Sequence, residues 1–161
     1  MGLFDIQKVT VGPESLTAVV RLANGAPLST GDDIDATARI YKIMPQIADH
    51  ACVNGRGDLF RDVMGDTSLA HLLEHVTVEI MARLGVEAVS AGNTAPTGEP
   101  RTWAITLTCP NDALVLGALS SAAWMMEWAF SGGADPVPSI EHTVEGLKGL
   151  VAKLAEAKPQ A

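Results

Sequence analysis

Basic residues are scarce in this sequence. Only eleven Lys and Arg accompany nineteen Asp and Glu in 161 residues, which gives a net charge of −8 and a pI near 4.8. The few basic residues are scattered along the chain rather than clustered. Because DNA and RNA are bound through clustered Lys and Arg that release counterions from phosphates, we expect no nucleic-acid partner.

Cysteines are also few. Cys52 and Cys109 lie far apart and form no C-x-x-C pair, which argues against a disulfide framework and against a sulfur-only zinc site. The N-terminal segment MGLFDIQ lacks the basic and apolar regions of a signal peptide, and Ile6 stands where a myristoylation motif requires Ser or Thr. We therefore expect a cytoplasmic protein.

The composition is that of one globular domain spanning residues 1–161, with 47% hydrophobic and 19% charged residues. The segment 113–130 is long and apolar enough to raise the question of a membrane span. However, Glu127 and Gly117 interrupt it, and Asn111 and Asp112 open it like the start of a helix. We expect a buried or oligomer-forming helix there, and no membrane partner.

Hydrophobic periodicity and turn residues predict the order β-β-α-α-β-β-α-α. Gly12 and Pro13 separate two β-rich runs, and Thr67 or Ser68 is suited to cap a helix that Gly85 ends. The segment 92–100 reads as a Gly/Pro/Asn-rich loop. This order predicts an α+β fold with a small antiparallel sheet and helices packed on one face. The predicted strands are 5–12, 15–23, a short one near 86–90 and 102–109, and the predicted helices are 34–44, 68–84, 111–130 and 139–157.

The stretch HLLEH at residues 71–75 carries the main chemical signal. At about 100° per residue, a helix over 68–84 separates into two arcs. One arc is apolar, whereas the other holds two histidines and two carboxylates without Lys or Arg. The second arc contains His71, Glu74, His75, Val78 and Glu79.

Imidazoles at positions i and i+4 can converge on one divalent ion, and carboxylates are further ligands for zinc. The order H-x-x-E-H also occurs in metalloproteases, where the glutamate takes a proton from metal-bound water while the ion polarises a carbonyl. The pattern thus predicts zinc or another divalent metal held by His71 and His75, with Glu79 as a further candidate ligand on the same face and Glu74 as the catalytic base. Which of Glu79, His50, Cys52 or His142 completes the ligand set stays open.

A simpler interpretation is that this arc is the solvated side of a surface helix, which needs no metal. Taken singly, His50 and Cys52 are interpreted as loop-packing residues rather than ligands. Cys109, at the end of a strand, is expected to be a small buried hydrophobe. His142, beside Glu141, is expected to be solvated.

The sequence resembles the N-terminal domain of cyanophycin synthetases over roughly residues 40–130. The helix motif with its trailing glutamate is the specific part of the resemblance. The residues that carry it are, in order, Pro45, His50, Cys52, Phe60, Gly65-Asp66-Thr67, HLLEHVTVEI and Gly92-Asn93-Thr94.

That resemblance implies a metal-dependent hydrolase, since in some members this domain is implicated in cutting the polymer into primers. It also implies His71, His75 and Glu79 as the metal ligands and Glu74 as the base. In that family the polymer synthetase activity resides in an ATP-grasp and a Mur-ligase-like domain, and we expect neither in these 161 residues. The family's loop also offers arginines, as in G-R-T-R, where this chain has Gly92-Asn93-Thr94-Ala95. Arginines bind carboxylates through paired donors, so their absence puts cyanophycin itself in doubt as the substrate.

Two hypotheses of function follow. The favoured one is a metal-dependent hydrolase of a peptide or peptide-like amide bond. The alternative is a non-catalytic binding or assembly module of the same fold, which self-associates or docks to a larger ligase through the apolar segment 111–130. A homodimer is expected in either case, because two-fold pairing commonly covers an apolar surface.

Overall fold

A four-stranded antiparallel sheet with four helices makes up the computed structural model, which describes residues 2–86 and 92–157. The α+β class and the order β-β-α-α-β-β-α-α are confirmed. Along the sheet the strands follow the order β1-β2-β4-β3. Their bounds are β1 Phe4–Val11, β2 Ser15–Leu22, β3 Asn93–Pro96 and β4 Thr102–Thr108.

Alternation along β2 determines which face of the sheet is covered. Leu16, Ala18, Val20 and Leu22 are buried, whereas the residues between them are partly or fully exposed. The register pairs Leu16 with Leu107 and Ala18 with Ile105, so β4 adds its apolar side chains to the same face. Period-two alternation of this kind places one face of the sheet against the helices.

The helices begin and end near the residues that the sequence predicts. The Asp33 carboxylate accepts a hydrogen bond from Ala36 N–H at the start of α1, and the Ser68 hydroxyl accepts one from His71 N–H at the start of α2. Gly85 follows α2 with φ +88°, a conformation that glycine adopts without strain. The helices are α1 Ile34–Ile43, α2 Leu69–Arg83, α3 Asp112–Phe130 and α4 Ile140–Ala157.

One element differs from its predicted state. The segment 93–96, predicted as loop, is the edge strand β3, paired antiparallel with β4 from Asn93–Thr106 to Pro96–Trp103. Pairing with a neighbour overrides the weak strand propensity of Asn and Pro, and Pro is tolerated at a sheet edge. The short strand predicted near 86–90 falls largely on residues outside those that the structure describes.

Helix α2 is the central helix of the fold. It contacts α3, α4, β3 and β4 as well as a short 3-10 helix at Pro45–Asp49, and its residues from Leu72 to Met81 are all buried. Along that stretch the helix has no side chain that is fully exposed to solvent. Its polar residues must therefore find partners inside the protein.

Helix α3 has the length and apolar composition that a membrane span requires. A core helix meets the same criteria, and one face of α3 is buried against the rest of the fold, as expected. The buried residues on this face are Val115, Ala118, Leu119, Ala122, Met125, Met126 and Ala129.

The pair Leu16 and Val11, direct partners in the β1–β2 hairpin, provides a test of the covered face. Leu16 is fully buried, whereas Val11 is 52% exposed. Leu16→Ala should lower the free energy of unfolding by about 2–5 kcal/mol, because it removes buried methyl groups and leaves a cavity. Val11→Ala should lower it by less than about 1 kcal/mol. Urea denaturation measures both, and equal losses would contradict the burial pattern.

Candidate metal centre

The loop before α2 folds back on itself and faces the helix. Ala51 and Leu59 form an antiparallel bridge, Cys52 N–H donates to Asp58 O at 2.9 Å, and Phe60 N–H donates to His50 O at 2.9 Å. These backbone bonds fix both ends of the loop. The side chains of His50, Cys52 and Phe60 consequently lie against α2.

Three side chains offer ligand atoms within 4.8 Å of one another: Cys52, His71 and His75. The Nε2 atoms of His71 and His75 are 3.2 Å apart, and Cys52 Sγ is 3.5 Å from His71 Nε2. The helix thus brings its two histidines together, as their i, i+4 spacing predicts. The loop adds the thiol.

The other nitrogen of each ring already has a partner. His71 Nδ1 is 2.8 Å from Thr67 Oγ1, and His75 Nδ1 is 3.0 Å from His50 Nδ1. Phe60 stacks on the His75 ring with centroids 3.9 Å apart and meets His71 edge-on at 5.1 Å. Both imidazoles are therefore oriented with Nε2 toward the shared point.

Burial keeps these imidazoles neutral. It lowers the pKa of His75 to about 2, with repulsion from His71 and His50 acting in the same direction, and it lowers the pKa of His71 as well. A neutral imidazole has a free lone pair, which ligation of a metal requires. Burial raises the pKa of the Cys52 thiol, so metal binding would have to release its proton.

Glu74 lies beside the same point. Its Oε2 is 3.5 Å from His75 Nε2, and its Oε1 accepts a hydrogen bond from Thr94 Oγ1 at 2.7 Å. A Cβ at Gly92 would come within 2.8 Å of Glu74 Oε2, so only glycine leaves room for the carboxylate here. Burial raises the pKa of Glu74 despite the bond from Thr94.

Glu79 lies one helical turn beyond His75 and has other partners. Its Oε2 is 2.8 Å from His50 Nε2, and its Oε1 accepts from Arg83 Nε at 3.0 Å. Burial alone would raise the pKa of Glu79, but the hydrogen bonds from His50 and Arg83 hold it below its ordinary value. A direct role for Glu79 as a ligand stays a prediction. His142 is exposed on α4, as expected.

The solvated-face interpretation of α2 is wrong. Glu74, His75 and Glu79 are only 4%, 3% and 7% exposed, because the loop and the edge strand cover this side of the helix. The sequence left the third ligand open, and the structure brings Cys52 into the group. The signal for Cys52 lay in the order Pro45, His50, Cys52, Phe60 of the family resemblance rather than in helix periodicity.

The donor set fits a divalent zinc-like ion. One thiol and two imidazoles form a three-ligand set of the kind found in zinc sites that keep a fourth position for water or substrate. The group lines a cleft of about 880 Å³, whose other walls include Asn93, Trp103 and Arg56. The residues present could therefore hold a metal on a side that a small molecule or peptide can reach.

The model of the cyanophycin synthase-like N-terminal domain family matches residues 18–128, more than half of the chain. The match begins within β2, earlier than the residues on which the sequence resemblance rests, and it includes the whole site. No curated protein matches the chain.

Cobalt binding tests the membership of Cys52. In Co²⁺-loaded protein, Cys52→Ser should abolish the near-ultraviolet thiolate-to-metal absorption. Losing a residue that only hydrogen-bonds to a ligand typically weakens metal binding about 10–100-fold, and losing a ligand should weaken it more. Cys109→Ser, a matched change at the other buried free cysteine, should leave spectrum and affinity unchanged. An unchanged cobalt spectrum in Cys52→Ser would contradict the assignment.

Metal removal should lower thermal stability. The candidate ligands come from a loop and a helix, so the site exists only in the folded chain, and a ligand at 100 times its Kd adds about 2.7 kcal/mol to stability. For a chain of this size, chelation should lower Tm by about 5–10 °C. The Tm of Cys52→Ser should not respond to chelator. A wild-type Tm that is equally indifferent to chelator and to added Zn²⁺ would contradict a site formed on folding.

Proposed function

The chain belongs to the cyanophycin synthase-like N-terminal domain family, and we propose that it is a metal-dependent hydrolase of a peptide or peptide-like amide bond. The observation that carries the proposal is the position of the Glu74 carboxylate, 3.5 Å from His75 Nε2 at the point where the three candidate ligands meet. A buried acid beside a potential metal site is the arrangement that water activation requires.

Cys52, His71 and His75 would hold the ion. When bound, a divalent ion of this kind supplies a Lewis acid that polarises a carbonyl and makes water more acidic. Phe60 and Thr67 keep the two rings oriented. The chain would thus provide a fixed ligand set before substrate arrives.

Glu74 would move the proton. Its carboxylate takes a proton from the attacking water as the water oxygen bonds to the carbonyl carbon, and it returns that proton to the nitrogen as the C–N bond breaks. Its raised pKa supports both roles, because an acid with a pKa nearer neutrality accepts and returns a proton more evenly. The bond from Thr94 to Oε1 leaves Oε2 directed toward His75.

We propose the substrate only as a class, a peptide or peptide-like amide. Asn93 and Ala95 occupy the positions where the family's G-R-T-R loop has arginines. The structure places Asn93 in the wall of the cleft, where an arginine could otherwise bind a carboxylate of the substrate. This difference argues against cyanophycin itself as the substrate. A free thiol at Cys52 would suit the reducing cytoplasm.

A second candidate is a non-catalytic binding or assembly module. The observation that favours it is exposed apolar surface on the last two helices, where Trp124 is 55%, Leu150 46% and Leu154 42% exposed. Such a module would self-associate or dock to a larger ligase and would need no stoichiometric metal. A purely structural metal site is a third possibility, but structural sites are usually closed by four protein ligands.

Replacing the base tests the hydrolase directly. Glu74→Gln should bind Zn²⁺ with wild-type stoichiometry yet lose about 10²–10⁴-fold in turnover, because the amide cannot accept the proton. Glu145→Gln, an exposed glutamate on α4, serves as control. The assay is release of free amines from cyanophycin and from a defined library of N-acetylated peptides.

Four outcomes separate the candidates. Turnover by wild type and loss in Glu74→Gln support the proposal. A fully active Glu74→Gln would rule out this mechanism. Stoichiometric zinc in a wild-type protein that cleaves no amide in either substrate set favours a structural metal, and absence of stoichiometric zinc favours the module.

A further inference from the structure

We propose that His50 and Glu79, held by Arg83, form a positioning relay that fixes the tautomer and orientation of the His75 ring. The inference rests on the metal site of the proposed function and deepens it. It gives His50 and Glu79 a role outside the ligand set. The relay is defined by these four side chains: His75, His50, Glu79 and Arg83.

The contacts form an unbroken line. His75 Nδ1 is 3.0 Å from His50 Nδ1, and His50 Nε2 is 2.8 Å from Glu79 Oε2. Glu79 Oε1 accepts from Arg83 Nε at 3.0 Å, and Arg83 in turn donates to Gln46 Oε1 at 3.1 Å. Both oxygens of Glu79 are thus engaged.

One proton arrangement satisfies every contact when His75 ligates through Nε2. His75 Nδ1 then carries the hydrogen and donates to His50 Nδ1, which accepts. His50 must therefore carry its own hydrogen on Nε2, and it donates that hydrogen to Glu79. An ionised carboxylate has no proton to donate, so Glu79 acts as the acceptor. The acid at the far end of the line therefore determines which nitrogen of His75 is free.

The relay also joins two parts of the fold. His50 and Gln46 belong to the segment at and just after the 3-10 helix Pro45–Asp49, whereas His75, Glu79 and Arg83 follow one another at four-residue spacing on α2. The contacts of His50 with His75 and Glu79, and of Arg83 with Gln46, hold this segment against α2. Because the same loop carries Cys52, the relay also supports the position of the thiol.

The two candidate histidine ligands differ in the partner of their Nδ1 atom. His71 Nδ1 meets only the hydroxyl of Thr67, which can rotate to accept or donate. His75 meets an imidazole whose own proton is directed by a carboxylate. Outer partners of this kind typically contribute about 10–100-fold to metal affinity.

Two substitutions of His50 separate its two nitrogens. The amide of Asn lies near the position of Nδ1, so His50→Asn keeps an acceptor for His75. The amide of Gln lies near the position of Nε2, so His50→Gln keeps the contact with Glu79 but loses the one with His75. His142→Asn, which removes an exposed imidazole on α4, is the matched control.

The affinity for Co²⁺, measured by competition with a chromophoric chelator, should fall about 10–100-fold in His50→Gln. His50→Asn should recover most of that loss, and His142→Asn should show none. Circular dichroism of each variant without metal reports whether it is folded. Equal affinities in wild type and a folded His50→Gln would overturn the relay.

Nitrogen-15 NMR of the Zn²⁺-loaded wild type gives a readout that depends on no variant. We expect hydrogen on Nδ1 of His75 and on Nε2 of His50, and none on His50 Nδ1. The reverse arrangement would overturn the relay even if the protein hydrolyses amides. Conversely, the expected tautomers in a protein without turnover would support the relay and leave the hydrolase rejected. A wild type that binds no metal would overturn both.

Discussion

Burial of the polar side of α2 is the constraint on which the rest of the structure depends. On this side of α2, Glu74, His75 and Glu79 are buried and His71 is half-buried. A buried polar group without a partner costs free energy. Within residues 2–86 and 92–157, every buried side-chain nitrogen or oxygen has a partner. The loop at 50–60, Thr67, Thr94 and Arg83 supply those partners, so the surroundings of α2 are arranged around its polar residues.

That arrangement also orders the chemistry. With the outer nitrogen of each imidazole satisfied, the two Nε2 atoms lie 3.2 Å apart and Cys52 Sγ lies 3.5 Å from that of His71. With one oxygen of Glu74 satisfied, the other lies beside His75. The same hydrogen bonds that stabilise the buried helix therefore produce a convergent donor set. Stability and site geometry share one set of contacts, and changes to the outer partners should affect both.

The family match covers the site but not the ends of the chain. It spans residues 18–128, whereas β1 and α4 lie outside it. Strand β1 extends the sheet at the edge away from α2, and Leu147 of α4 packs so closely on α3 that a Cβ at Gly117 would lie 2.6 Å from it. These outer elements complete the core without contributing to the donor set. The exposed apolar residues of α4 belong to this part of the molecule.

The sequence by itself determined the features that depend on neighbouring residues. Period-two and helical patterns placed β1, β2, β4 and the four helices, and the i, i+4 spacing brought His71 and His75 to one side of α2. Such signals are local, because a helix turn or a pleat involves only residues a few positions apart.

Only the tertiary structure decided what surrounds that side. Three contacts depend on how distant segments pack: the approach of Cys52 Sγ to His71 Nε2, the pairing of 93–96 with β4, and the hydrogen bond from Thr94 to Glu74. No periodicity encodes them, and the low strand propensity of 93–96 pointed the other way. The helix pattern alone suggests that this side of α2 is solvated. In the folded chain a loop and a strand cover it and remove the water that would stabilise charged side chains. Burial therefore keeps the imidazoles neutral and raises the pKa of the Glu74 carboxyl.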